Sequence, residues 1–329
     1  MSVDTARRTL LLNQRHRPVL DMNFLSTTTL DSRSAFARDG AGTYETSTGD
    51  LLSFASGEPR IGDQGLLIEP ERTNYFLNNE TPATHTSPTL PVGLYLLWCE
   101  GTGSIAISAN TATISGVNGA SVTEGAPDLF SVDVEGTVDF TVTGDVDVAQ
   151  CEGPSPAIFQ TSLILTEGAA VTRPADVFTL DLSASNTSEG TLFIDCVRLN
   201  DGQIGQTALL TLDDGTQDNR AAILRNSNPS LGIRGFVVSG GVGSALLSSA
   251  ADVAAFVPIR AAVAWRADDF ALCSNASAAV VDSAGAVPAP MTTLRLGASA
   301  LAVDTPILVR RVRCWSRRLP NDILRGMTV

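Results

Sequence analysis

Two histidines, five cysteines and no lysine make a sparse catalytic inventory for 329 residues. His16 lies in an arginine-rich terminus and His85 in a proline-rich stretch. Neither has a nucleophile or a second ligand beside it, so neither a serine–histidine triad nor a zinc site is expected. Cys99, Cys151, Cys196, Cys273 and Cys314 are widely separated and lack C-x-x-C spacing. Their odd number and apolar surroundings point to free, buried thiols. No Walker loop, dinucleotide fingerprint or G-x-S-x-G occurs, and Gly240-Gly241-Val242-Gly243 reads as a hairpin turn. A glycosidase needs only two carboxylates about 5–10 Å apart, which no sequence spacing betrays.

Non-covalent sugar recognition needs an exposed ring flanked by polar side chains, and aromatics make up only 5% of the chain. Trp98, with Tyr95 three residues before and Glu100 two after, is the first candidate; the alternative is a core tryptophan. Trp315 shares a strand face with Arg311 and Arg313, as a binding surface or as a lid under a terminal helix. Trp265, in line with Ala261 and Val263, is expected in the core. The run Asp213 to Arg220 offers Asp214, Gln217 and Asn219 to a sugar, yet it also has the composition of a hairpin turn.

All 22 basic residues are arginine, and the net charge is −13. Between Arg72 and Arg173 there is no basic residue, whereas eleven carboxylates occur. Such a surface repels phosphate backbones, so nucleic acid is not an expected partner. It suits either structural calcium or simple solubility, and solubility is the expectation. No cofactor is expected. No apolar run approaches the ~20 residues that span a bilayer, and the terminus lacks the apolar core of a secretory signal; membrane insertion is not expected, and synthesis in the cytoplasm is. The cluster Arg310, Arg311, Arg313, Arg317, Arg318 and Arg325 can pair with carboxylates of the chain, with a neighbouring subunit, or with an anionic capsule or lipopolysaccharide.

Positioning falls to strands, because helical periodicity is nearly absent. Phe130, Val132 and Val134 alternate with polar residues, as do Val138, Phe140 and Val142, then Val146 and Val148. The pattern predicts three successive strands with one buried and one acidic, solvated face. Pro82 to Pro91 reads as an extended connector and Ser183 to Glu189 as a second. The organisation predicted is a docking arm over 1–19, an extended segment over 20–81 packing on the sandwiches, a first β-sandwich over 82–182, and a larger jelly roll over 183–329. Residues 320–326 are expected to form a short helix with Asp322 in its first turn and Gly326 at its stop.

Two stretches carry a family resemblance. One comprises Leu20-Asp21-Met22-Asn23-Phe24, Ser34 to Tyr44, Pro59-Arg60 and Gly65 to Asn74. It resembles the opening segment of bacteriophage tail fibres, spikes and related virion proteins, including those of gene transfer agents. The other comprises Gly190 to Ile194, Ala264 to Ala271, Leu294 to Gly297 and Arg310 to Pro320, and resembles a concanavalin-like jelly roll. The resemblance implies an all-β fold of tandem β-sandwiches, the C-terminal one concanavalin-like. It implies a virion surface protein that binds host capsule or lipopolysaccharide, docks to other virion proteins through its N-terminal arm, and forms a trimer or higher ring. Binding without cleavage is the expectation, since the long β-helix of depolymerising spikes has no counterpart here. A depolymerising spike and a purely structural virion protein are the alternatives.

Overall fold

The computed structural model describes residues 17–117, 121–155, 159–185, 188–199, 206–226, 232–299 and 306–329. Most of the expected docking arm, with Arg7, Arg8, Arg15 and His16, lies outside the described residues. The described chain is all-β, built from antiparallel strands in two sandwiches, with one helix, Asn321–Met327.

The larger sandwich faces an eight-stranded sheet against a seven-stranded one. Gly190–Arg198 lies central in the first, between Pro258–Arg266 and Ile307–Trp315. Its alternate residues Leu192, Ile194 and Cys196 enter the inter-sheet core, as period-two side-chain alternation requires. Trp265 is in the same core. A Cβ on Gly190 would fall 2.2 Å from the Trp265 ring, so only glycine admits that indole. The second sheet runs, in spatial order, Ser34–Ala37, Val177–Asp181, Thr293–Leu296, Thr207–Asp213, Arg220–Arg225, Gly232–Ser239 and Val242–Asp252. Gly240 and Gly241, both at positive φ, make the two-residue hairpin turn before Val242.

Residues of the expected extended segment are ladder members. Leu20–Asn23 and Gly65–Ile68 both pair with Ile307–Trp315, and Ser34–Ala37 pairs with Val177–Asp181. The smaller sandwich is an insertion between Ile68 and Val177. It sets a six-stranded sheet, which takes Arg72–Asn74 and Val171–Arg173 at one side, against a three-stranded sheet. Phe76, Tyr95, Phe130, Val132, Val138 and Phe140 fill its core.

Four expectations change in detail. The boundary at 182 moves, because Val177–Asp181 hydrogen-bonds to Thr293–Leu296 of the larger sandwich. The proline-rich connector contains a strand, His85–Thr86, on Val138–Thr143. Of the three successive strands, Asp128–Val134 and Val138–Thr143 are in different sheets, while Val146 precedes the third strand, Val148–Gly153. Gly326 lies inside the helix; Thr328 caps it, its N–H donating to the Arg325 carbonyl.

Candidate functional site

The rings singled out in the sequence are buried. Trp98 is 5% exposed, packs against Leu96 and Leu163, and donates its indole N–H to Glu152 Oε1 at 3.1 Å. Tyr95 is stacked on Phe130, and its hydroxyl donates to the Pro91 carbonyl at 2.8 Å. Trp315 lies with Phe193, Leu319 and Leu324 under the terminal helix. None of the three offers a face to a sugar: Tyr95 is in the inter-sheet core, and Trp98 and Trp315 are on outer sides that other segments cover. Arg311 and Arg313 both reach Asp21, at 2.7 and 3.2 Å, and tie the first strand to the last. Glu100 is exposed; partial burial, with Glu45, Glu124 and Asp147 nearby, raises its pKa. Among the described residues no group of three or more histidines, cysteines or carboxylates is placed to hold a metal.

The loop after Asp213 spends its polar groups on itself. Asp214 accepts from Thr216 N–H at 2.9 Å and from Asn219 Nδ2 at 2.9 Å, while Arg220 donates to Gln217 Oε1 at 2.7 Å. Asn219 Oδ1 accepts from Gly240 and Ala289 N–H groups. This is the hairpin turn that its composition also suggested.

A cluster of charged side chains is buried where the two sandwiches meet. Arg60 ion-pairs with Glu69 at 2.8 Å and with Asp176; Asp176 also holds Arg38 at 3.0 Å, and Glu69 also holds Arg173. Glu69 further accepts from Ser162 N–H at 2.8 Å and from its hydroxyl at 2.7 Å. Burial opposes the charge of Glu69, but Arg173 and Arg60 overcome it and hold the carboxyl far below the usual range. The backbone over 161–166 crosses here as a strap. Leu163 and Ile164 carbonyls accept from Thr43 Oγ1 and Asn74 Nδ2, and Glu152 binds Thr161 N–H at 3.0 Å. Burial pushes the Glu152 carboxyl up, against the opposing pull of Thr161 and Arg72. Arg38, Arg60, Glu69 and Asn74 all belong to the stretch over 20–79, and here they hold the junction between the sandwiches. Glu69 and Asp176 are sealed and neutralised by arginines, which rules out that carboxylate pair as a hydrolytic dyad.

The two outer faces of the larger sandwich differ. The eight-stranded sheet is covered by the terminal helix over Phe193 and Trp315, and its cluster of Leu67, Val197 and Leu308 includes Tyr44 and Phe54 of the Gly42–Phe54 hairpin. On the seven-stranded sheet the outer apolar cluster, Ala208, Ala222, Leu224 and Phe236, comes wholly from its own strands. Leu210, Leu212, Ala221, Ile223, Val237, Leu294 and Leu296 point into the core, so Thr211, Asp213, Arg220, Ala222, Phe236 and Arg295 point outward. One row crosses the sheet in register: Arg295, Thr211, Ala222, Phe236 and Leu246. Arg220 lies over the Phe236 ring at 5.3 Å, and Arg295 Nε contacts Asp213 at 2.8 Å. Sequence reasoning passed over Thr211, Ala222 and Phe236 and gave Arg220 and Arg295 no role in a site, although Leu294-Arg295-Leu296 alternates in the right period. A separate feature is Phe256, the single exposed aromatic among the described residues, held at φ +60° in the turn before Pro258.

No protein-family model and no curated protein matches the chain. Among solved structures, the chain is similar to the CBM40 of Ruminococcus gnavus IT-sialidase bound to α2,3-sialyllactose, at 19% identity over 45% of this chain and 90% of that one, with a TM-score of 0.37. The α2,6-sialyllactose complex of that module gives 17% identity over 43% and 83%, with a TM-score of 0.36. The leech intramolecular trans-sialidase gives 16% identity over 46% of this chain and 26% of the enzyme, with a TM-score of 0.37. Each likeness spans less than half of this chain.

Proposed function

We propose that the protein is a virion surface spike or fibre subunit that binds host capsule or lipopolysaccharide non-covalently. The observation that carries adhesion is the outer side of the seven-stranded sheet toward its Val242–Asp252 edge, where exposed Leu246 lies beside the half-buried Phe236 and Arg220 sits over the Phe236 ring. A sugar ring laid there meets an apolar surface and fixed hydrogen-bond donors, the combination such ligands need. The virion role is supported by the sequence resemblance over 20–79 and 190–320. Single-site affinity on so open a face is weak, so a trimer or higher ring supplies the avidity, with the N-terminal arm docked to other virion proteins.

The test uses the full chain, fluorescently labelled, on encapsulated host cells and on cells stripped of capsule and lipopolysaccharide glycan. Binding to coated cells only is expected, and Phe236→Ala should abolish it while Arg311→Ala leaves it unchanged. Equal binding to stripped cells refutes adhesion to glycan. New reducing ends in the polysaccharide would replace adhesion with depolymerisation.

A further inference from the structure

We infer that the cleft where the two sandwiches meet receives the N-terminal arm of a neighbouring copy of this chain, so that arms passed from copy to copy close the ring. The inference goes beyond the glycan reading and uses none of the residues of that sheet. Two adjoining hollows, of about 580 and 800 Å3, open between the Gly42–Phe54 hairpin, the strap over 161–166 and the strand Val171–Arg173. They share Leu165 and Val171, which are 39% and 38% exposed, and Ser53 lines the first. Leu51, on the same face of its strand as Ser53, adds a third exposed aliphatic side chain beside the cleft.

The rim is acidic. Glu80 and Glu167 line the second hollow, and Glu45, opposite Leu51 in the hairpin, shares its face. All three are exposed, and among the described residues none forms an ion pair. Arg173, the cation that lines the cleft, is buried and held by Glu69. Like charge crowds the neighbourhood too: burial, then Glu45, Glu124 and Asp147, push the Glu100 carboxyl up. An apolar cleft with uncompensated carboxylates at its edge fits a segment that carries aliphatic side chains between cations. The arm holds such a segment, Arg7-Arg8-Thr9-Leu10-Leu11-Leu12-Asn13-Gln14-Arg15. From Thr5 to Leu20 there are four arginines and no carboxylate, in a chain of net charge −13.

The arm of the same copy falls short. Leu20 pairs with Cys314, whereas Ile68, one residue before Glu69 of the junction, pairs with Ile307 at the other end of that strand. The stretch from Cys314 to Ile307 is roughly 23 Å long at the rise of a strand. Leu12 to Leu20 reaches at most about 29 Å when fully extended, so the leucines end near Ile68. Val171 lies further on, since its ladder partner is Asn74. An arm that enters the next copy makes a head-to-tail contact, the kind that closes a ring.

The test is sedimentation velocity on the full chain at micromolar to tens-of-micromolar concentration, at low and moderate salt. Association into a closed ring is expected, and it should weaken as salt rises. Arg7→Glu with Arg8→Glu, and separately Glu80→Arg with Glu167→Arg, should each raise the dissociation constant at least about tenfold, through like charges brought face to face. Joining the four changes reverses both partners and should return the constant to within about threefold of the unaltered chain, as coupled sites do. Leu165→Ser, at an exposed position, should weaken association while leaving the circular-dichroism spectrum unchanged. A monomer throughout that range overturns the inference. So does an oligomer indifferent to both charge pairs, which places the contact elsewhere. A fourfold variant that associates no better than either pair alone overturns it as well, because arm and rim then act in separate contacts.

Discussion

Replacing Glu69 with alanine tests the junction between the sandwiches. The Glu69 side chain is 2% exposed and receives Arg60, Arg173 and both the N–H and hydroxyl of Ser162. Its removal leaves three guanidinium groups, Arg38, Arg60 and Arg173, in a dry site with one carboxylate, Asp176. Stranding a buried charge costs about 3–5 kcal/mol. Because Arg60 keeps Asp176 and Arg173 keeps the Pro70 carbonyl, the lower end, about 3 kcal/mol, is expected. Urea unfolding followed by tryptophan fluorescence and far-ultraviolet circular dichroism reads the loss. The pH dependence gives a second handle. The folded Glu69 pKa lies below its unfolded value of 4.5, so its contribution is fully present above that value and fades as pH falls below it. The gap between wild type and Glu69→Ala should therefore be constant from neutral pH to about 5 and narrow in more acid solution. A loss under about 1 kcal/mol at neutral pH, or a gap that widens on acidification, would refute the account of the junction.

Glu152→Gln should cost under about 1 kcal/mol at pH 7, since it removes a buried charge and keeps an acceptor for Trp98 and Thr161. The folded pKa of Glu152 is raised, so its burial penalty is present at neutral pH and relieved as pH falls toward 4.5. Wild type should gain on the variant over that interval in denaturant titrations. Trp98→Ala should destabilise the smaller sandwich by about 3–5 kcal/mol in thermal or urea melts, as core aromatic truncations do. Phe256→Gly should leave stability unchanged or raise it by up to about 1 kcal/mol in the same melts, because it relieves a left-handed backbone and exposes nothing new. A clear loss there would mean that the exposed ring packs against something that stabilises the fold.

The alternation of Phe130 with Val132, and of Val138 with Phe140, was legible because a strand's period of two is a local property, and all four are in one core. So were the glycine hairpin at 240–241 and the self-bonded turn after Asp213, whose residues adopt those conformations with few alternatives. Pairing of Arg311 and Arg313 with a carboxylate of the chain was one of several readings that charge left open; that the carboxylate is Asp21 follows from a ladder 290 residues apart. The candidate site was not legible for a related reason. Alternation says that one face of a strand is buried and is silent on what lies against the other. Trp98 was open to either reading, platform or core, because nothing local announces the strap over 161–166 whose Leu163 packs against it. Phe236 looked ordinary because nothing local announces that Arg220 sits over its ring. The all-β class was set by residue-by-residue preference. The closure of the larger sandwich around an inserted smaller one and the convergence of Arg38, Arg60, Glu69, Arg173 and Asp176 were decided by long-range pairing, which only the folded chain brings about.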